Sequence, residues 1–294
     1  MFEDFKRDAL KAGVKAAIVS ISVLADIKAY FAALEEENEL NNFQKLLIRK
    51  RFVLNPPDDK TKSIIIAVWP RELVRLIFHH NGKSAACLTE KGVLQKPFEE
   101  IFAKTGFALT PEPMLPLKHL AVRCGLNKYG RNNITFCGDR GSFIRIGAYF
   151  TDMPAEVHTW RDVVIMPQCE ACGLCVQACV TTALQPRRFL MDNEKCLTYY
   201  NRQEIPDWVP PHAHNALYGC YRCQAACPAN FHRLAGAPEI VFTESEVHTM
   251  LMASSFADFP AEIKKKLGHI DYGQEMPFVP RNLQLLLDNS RQSD

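Results

Sequence analysis

Eight cysteines carry the chemistry of this chain: Cys169, Cys172, Cys175, Cys179, Cys196, Cys220, Cys223 and Cys227. The first four follow the spacing Cys-x2-Cys-x2-Cys-x3-Cys. Three thiolates so spaced wrap one corner of a [4Fe–4S] cube, and the fourth is directed to a second cube. Proline usually follows that fourth position; here it is Val180. Cys220-x2-Cys223-x3-Cys227-Pro228 repeats the last three cysteines and the proline of the same run, without its first member. Cys196, 24 residues upstream of Cys220, is the nearby thiol that supplies it. The crossover then assigns Cys169, Cys172, Cys175 and Cys227 to one cluster. The other takes Cys179, Cys196, Cys220 and Cys223, and no thiol of the stretch is left over.

Two zinc sites are the competing use of eight thiolates. Zinc pairs come as separated CxxC knuckles, and a third cysteine at x2 with a fourth at x3 is not their pattern. Disulfides are disfavoured in the reducing cytoplasm, where this chain is expected to reside. Its early apolar run, Ala16 to Ala25, is broken by Ser20 and Ser22 and is too short to cross a membrane. A start containing Glu3 and Asp4 is unlike a signal peptide. Cys87, Cys124 and Cys137 have no partner spacing and are expected as small core residues. His212 and His214 lie near the cluster cysteines in sequence, but the thiol count is already complete.

The elements that must position these thiols come from 294 residues, of which 47% are hydrophobic and 23% charged. The formal charge of +2 excludes a general polybasic nucleic-acid binder, and the composition excludes a disordered or collagen-like chain. Residues 1–160 read as a mixed α and β domain that holds cofactor or substrate. Helices are expected at Phe2 to Lys11, Ala25 to Leu34, Leu40 to Arg49, Phe98 to Lys104 and Leu117 to Cys124. Strands are expected at Ala17 to Val23, Ser63 to Trp69, Asn133 to Cys137 and Phe143 to Phe150. Ser63 to Trp69 is the clearest, being short, apolar and continuous. Asn81-Gly82 joins Val74 to His79 with Ser84 to Cys87 as a hairpin. Residues 161–232 form a double-cluster domain of turns and cysteines. Residues 233–294 form a helical tail that packs back on the core, with helices at Glu244 to Met252 and Pro260 to Leu267.

Lys118, His119, Arg123, Lys128 and Arg131 concentrate positive charge before Asn132 and Asn133. Two readings stay open. The stretch is the wall of a pocket for an anionic cofactor or substrate tail, or it is a solvated helix end whose cations favour the dipole. Tyr129 is likewise either a proton donor or a packed core tyrosine.

From Cys169 to Asn230 the sequence resembles the double-cluster domain of the epoxyqueuosine reductase family. The shared features are Cys196-Leu197-Thr198-Tyr199 and Gly219-Cys220-Tyr221-Arg222-Cys223-Gln224-Ala225-Ala226-Cys227-Pro228-Ala229-Asn230. Residues Ala121 to Asn133 resemble that family's Ala-Gly-Leu-Gly-Trp-x-Gly-Lys-Asn segment. Gly141-Ser142-Phe143, Tyr149 to Pro154 and Pro280-Arg281-Asn282-Leu283 match further elements. The resemblance implies an α+β fold: a nitroreductase-like α/β core, a bacterial-ferredoxin-like double [4Fe–4S] domain and a short helical tail. It also implies an oxidoreductase whose clusters pass electrons to a bound cobalamin or other cofactor, with a ferredoxin or flavodoxin-type donor and no membrane partner. Lys118, Arg123, Arg131, Asn132, Asn133 and Ser142 would bind that cofactor, and Glu112 and Tyr129 would deliver protons.

Three departures bear on the substrate. The family's catalytic Asp position falls on Pro111, with Glu112 beside it. Its Glu-Arg pair is Leu117-Lys118 here. The C-terminal helical repeats by which such reductases engage tRNA are not present in these 294 residues. The pattern resembles a short sister branch, whose electron acceptor is a small molecule, a tRNA or a corrinoid protein. The alternative is an electron-transfer protein or a reductive activator of a partner corrinoid protein, without substrate chemistry of its own.

Overall fold

The computed structural model describes residues 1–91, 96–155, 158–186, 188–201, 203–254, 258–267 and 278–290. The first elements are α1 (Phe2–Lys11), β1 (Lys15–Ser20), α2 (Val23–Glu36), α3 (Asn42–Lys50) and β2 (Ser63–Pro70). Next come β3 (Glu72–His80), β4 (Lys83–Lys91), α4 (Lys96–Ala103), β5 (Thr110–Pro111) and α5 (Leu117–Arg123). Then follow β6 (Lys128–Tyr129), β7 (Thr135–Phe136), β8 (Ile144–Thr151), α6 (Cys169–Cys172) and α7 (Leu174–Gln177). The chain continues through α8 (Leu197–Tyr200), α9 (Arg222–Ala225), α10 (Phe231–Ala235) and β9 (Glu239–Phe242). It ends with α11 (Glu244–Met252), α12 (Ala261–Leu267) and α13 (Val279–Asp288). The mixture of helix and sheet agrees with the α+β expectation.

Contacts group the chain into two compact units. The first is Met1–Pro70 with Val93–Gly173, and the second is Arg71–Gly92 with Leu174–Asp294.

In the first unit, a sheet in the order β1-β2-β8-β5 is antiparallel throughout. Its central strand β2 is buried on both faces. Ile65 and Ala67 join Phe5, Ala9, Phe98 and Phe102 on one side. Ile64 and Ile66 join Leu24, Ile27, Leu120 and Ala121 on the other. Double coverage explains the unbroken apolar run, since no position faces water. Strand β1 stops at Ser20, short of the expected Val23. There Ser22 turns the chain by donating from its hydroxyl to Ser20 Oγ at 2.9 Å, and α2 begins.

In the second unit, β4, β3 and β9 form a sheet in that order. Asn81 and Gly82 both have positive φ, 50° and 68°, as the tight two-residue turn between β3 and β4 requires. Strand β9 lies parallel to β3, with Arg75 opposite Glu239. Helices α11, α12 and α13 cover the apolar face, where Val247, Met250, Ile263, Leu283 and Leu287 meet Val74, Leu76 and Phe78. A capping box starts α11: Thr243 N donates to Glu246 Oε2 at 2.8 Å, and Glu246 N to Thr243 Oγ1 at 3.4 Å. The hairpin of residues 71–91 buries its apolar face under the C-terminal helices and takes its third strand, β9, from the same region. Among the described residues no helix is long and apolar enough to cross a membrane.

Candidate metal centre and its flanking loop

In the second unit, Cys179 follows α7, Cys196 precedes α8, Cys220 precedes α9, and Cys223 lies inside α9. Burial raises the Cys196 thiol above its ordinary value, and the neighbouring Cys220 and Cys179 add to the rise. Cys220 is raised by burial and then by Cys179. Cys223 is raised most by burial, and then by Cys220, Cys196, Cys179 and Cys175. Three separate segments thus bring Cys175, Cys179, Cys196 and Cys220 within electrostatic reach of Cys223. Such thiols stay protonated unless a cation offsets their charge, and a metal core that binds thiolates supplies one. Among the described residues no three His, Cys, Asp or Glu side chains converge as one metal ion requires.

Polar groups surround this set. Asn215 Nδ2 donates to Cys220 Sγ at 3.2 Å. Thr181 Oγ1 lies 3.9 Å from Cys179 Sγ. Thr198 hydrogen-bonds Cys196 through both its main chain and its hydroxyl. Arg222 Nε binds the carbonyl of Ala213 at 3.2 Å, fixing the loop before Cys220. Leu197, Val209 and Ala213 form a small apolar core that Val180, Tyr200 and Cys220 pack against. His212 is exposed, and its carbonyl accepts from Arg222. His214 is buried, and burial with the Arg281 charge lowers it to about 4, so its ring is neutral at pH 7. Cys227 precedes a short 3-10 turn, Pro228–Asn230, whose buried Asn230 donates from Nδ2 to the Gln224 carbonyl at 2.9 Å.

In the first unit, α6 carries Cys169 and Cys172 and closes at Gly173 with a left-handed φ of 65°. Arg131 Nε donates to the Cys169 carbonyl at 3.1 Å. Tyr129 N donates to Val164 O at 2.8 Å, and Met166 N donates to Tyr129 O at 2.7 Å. The loop around Tyr129 is thereby tied by its main chain to the approach to Cys169. Lys118 Nζ reaches the Asn133 carbonyl at 2.8 Å and its Oδ1 at 3.1 Å. Arg123 Nε donates to Arg161 O at 2.7 Å, and its guanidinium lies over Trp160. These cations hold the loop together, while Lys128 is exposed. Asn133 has φ of 57°, and its N donates to Gly130 O at 3.0 Å, closing a tight turn. Asn132 is 2% exposed, and its Nδ2 has no partner among the described residues. Ser142 is buried. Glu112 Oε1 caps the turn at Met114 N at 2.9 Å. Tyr129 is buried, and burial with the nearby Tyr30 raises its phenol, which stays protonated at pH 7. Cys87, Cys124 and Cys137 are buried, as expected of core thiols.

Sequence reasoning misses Asn201 and Asn215 and names Thr198 only within a shared motif, because their roles depend on how the loops beside the cysteines close. Asn282 was flagged only as part of the Arg-Asn element, and its partners emerge from the fold.

Residues 168–230 match the family described as "4Fe-4S double cluster binding domain". The chain is similar to the epoxyqueuosine reductases. It is 29% identical to that of Bacillus subtilis over 158 residues, covering 51% of this chain and 38% of the relative. It is 31% identical to that of Listeria monocytogenes over 134 residues, covering 42% and 34%. The aligned part therefore spans well under half the length of these curated relatives. A solved epoxyqueuosine reductase of Bacillus subtilis has a TM-score of 0.68 at 23% identity, covering 98% of this chain and 81% of that one. Another, solved with a modified tRNA-Tyr stem loop, has a TM-score of 0.67 at 21% identity over the same shares. These structures establish likeness of fold.

Proposed function

We propose that this protein is an iron–sulfur oxidoreductase of epoxyqueuosine reductase type that carries two [4Fe–4S] clusters. One is held by Cys169, Cys172, Cys175 and Cys227, and the other by Cys179, Cys196, Cys220 and Cys223. The observation that carries the reading is the convergence of Cys179, Cys196, Cys220 and Cys223 in the second unit, inside the double-cluster match. The crossover spacing calls for this set, which includes the displaced Cys196; Cys175, assigned to the other cluster, also lies within reach of Cys223.

The clusters supply single electrons at low potential. The surrounding residues do the rest. Arg131 and Lys118 pin the loop that leads to Cys169. Asn132 holds a buried amide whose open donor suits a carbonyl or amide of a bound cofactor. Tyr129 keeps a proton available on a buried phenol, and Glu112 is a carboxyl next to the position where the related reductases carry an acid. The acceptor we favour is a corrinoid, which offers many amides and a phosphate to Lys118, Arg123, Arg131, Asn132, Asn133 and Ser142. A small molecule, a tRNA or a corrinoid protein is the terminal acceptor, and a ferredoxin or flavodoxin-type protein is the donor.

The test is anaerobic reconstitution, followed by iron and sulfide assays and an absorption spectrum with added cobalamin. About eight iron and eight sulfide per chain are expected, with a shifted corrinoid band. Two zinc and no sulfide overturns the cluster reading. Full clusters without cobalamin binding at tens of micromolar, on the order of −6 kcal/mol, turns the assignment to an electron-transfer protein or reductive activator.

A further inference from the structure

We propose that Asn215 tunes the reduction potential of the cluster held by Cys179, Cys196, Cys220 and Cys223, raising it through a hydrogen bond to Cys220 Sγ. The proposal rests on the ligand reading above.

The amide of Asn215 has one orientation. Its Oδ1 accepts from Tyr221 N at 2.9 Å, and its Nδ2 donates to Ala213 O at 2.8 Å. A flipped amide would set donor against donor and acceptor against acceptor. With one hydrogen of Nδ2 given to Ala213 O, the second is directed to Cys220 Sγ, 3.2 Å away. Asn215 is therefore a fixed N–H donor to sulfur, held by the loop that Cys220 terminates.

It does not act alone. Thr198 donates to Cys196, and Thr181 Oγ1 lies beside Cys179 Sγ at 3.9 Å. Against a thiolate, which has no proton to give, these hydroxyls can only donate. Three ligands of one set thus receive side-chain hydrogen bonds. When one electron enters from a reductant, no covalent bond breaks and the negative charge is shared with the ligating sulfurs. Each N–H···S or O–H···S bond is stronger in the reduced state, which favours reduction and raises the potential.

The test uses the full chain, reconstituted anaerobically, reduced stepwise with dithionite and monitored by electron paramagnetic resonance. Iron and sulfide are assayed first. Two zinc and no sulfide overturns the ligand reading and this proposal with it. With clusters intact, Asn215→Leu should lower one midpoint and leave the other in place. The expected shift is a tenfold fall in the ratio of reduced to oxidised cluster at fixed potential, about 59 mV for one electron. Asn215→Asp, which keeps the acceptor for Tyr221 N and loses the donor, should move the same midpoint in the same direction. Two unchanged midpoints, or two that fall together, overturn the proposal. If the leucine variant fails to hold iron, wild-type protein with 15N-labelled asparagine decides. The reduced cluster should show a nitrogen coupling that changes with the label, and its absence overturns the proposal.

Discussion

The side-chain amide of Asn282 donates to the main-chain carbonyl of Asn201 at 3.0 Å, and the amide of Asn201 donates onward to the carbonyls of Ala216 and Gly219. Asn282 also reaches Leu217 O at 2.8 Å. Two buried asparagines thereby join three stretches: the end of α8 that follows Cys196, the loop that precedes Cys220, and the first turn of α13. Arg281 adds hydrogen bonds to the carbonyls of Tyr200, Asn201 and Gln203. The Arg-Asn pair at the start of α13 therefore braces the loops that carry Cys196 and Cys220, two of the proposed ligands.

Asn282→Ala removes both of these hydrogen bonds; the Asn201 carbonyl keeps Arg281 Nη2 at 3.2 Å, while the Leu217 carbonyl loses its asparagine donor. Each buried unsatisfied group costs about 1–3 kcal/mol. The unfolding midpoint in urea should fall accordingly, and the variant should lose iron on gel filtration faster than the wild type. An unchanged midpoint with full iron would show that α13 does not brace the ligand loops.

Cys196→Ser should remove one cluster and spare the other, so iron falls from about eight to about four per chain. Cys87→Ser is the control. Cys87 is buried in β4, its thiol raised to about 12 by burial, and it packs with Val74 and Phe242 far from any ligand run in sequence. Its replacement should leave the iron content alone. Full iron in the Cys196 variant, with an unaltered reduced-state spectrum, would remove Cys196 from the ligand set.

What was legible in the sequence follows from how local each signal is. The bounds of α1 and α11 are met residue for residue, because their apolar spacing and flanking residues lie within the helix. The hairpin turn announces itself through Asn81 and Gly82, whose positive φ few other residues adopt. Strand β9 was missed. It has four residues, and its partner β3 lies far earlier in the chain. Helix α13 was read only as the Arg-Asn element, since its apolar positions Val279, Leu283, Leu286 and Leu287 gain meaning once a core exists to receive them. At the site, cysteine spacing is the signal behind the proposed ligand sets, because metal geometry constrains sequence separation. The donors to sulfur were hidden, and so were the main-chain partners of Lys118 and Arg131. Those contacts are made across loops and leave no periodic trace.

Gly130→Ala should destabilise the loop that binds to the approach to Cys169. A Cβ at this position would lie 2.6 Å from both Asn132 Oδ1 and Phe136 Cε2. Both neighbours are buried, so neither has room to retreat, and overpacking of this kind costs about 1–3 kcal/mol. A lowered melting temperature, with the isolated-cysteine control Cys87→Ser unchanged in iron, is the expected pattern. A melting temperature equal to the wild type would mean that the turn from Gly130 to Asn133 yields without cost.

His119 should make the protein lose stability on mild acidification. Its ring is 5% exposed, lies 4.5 Å from the Tyr30 ring, and leaves Nε2 without a partner among the described residues. Burial, reinforced by the Arg123 charge, lowers it from 6.5 to about 4. The folded protein therefore refuses a proton that the unfolded chain accepts once the pH drops below about 6.5. Stability from this residue is complete above that value and is lost as the pH falls toward 4. Between pH 7.5 and 5.5 the loss is about 1.4 kcal/mol for one such histidine. His214, lowered to about 4 in the same way, contributes over the same window. His119→Gln cannot titrate, so its urea midpoint should fall by roughly half as much as the wild type's between these pH values. If both proteins lose the same stability, His119 takes up its proton in the folded state and its burial does not resist it.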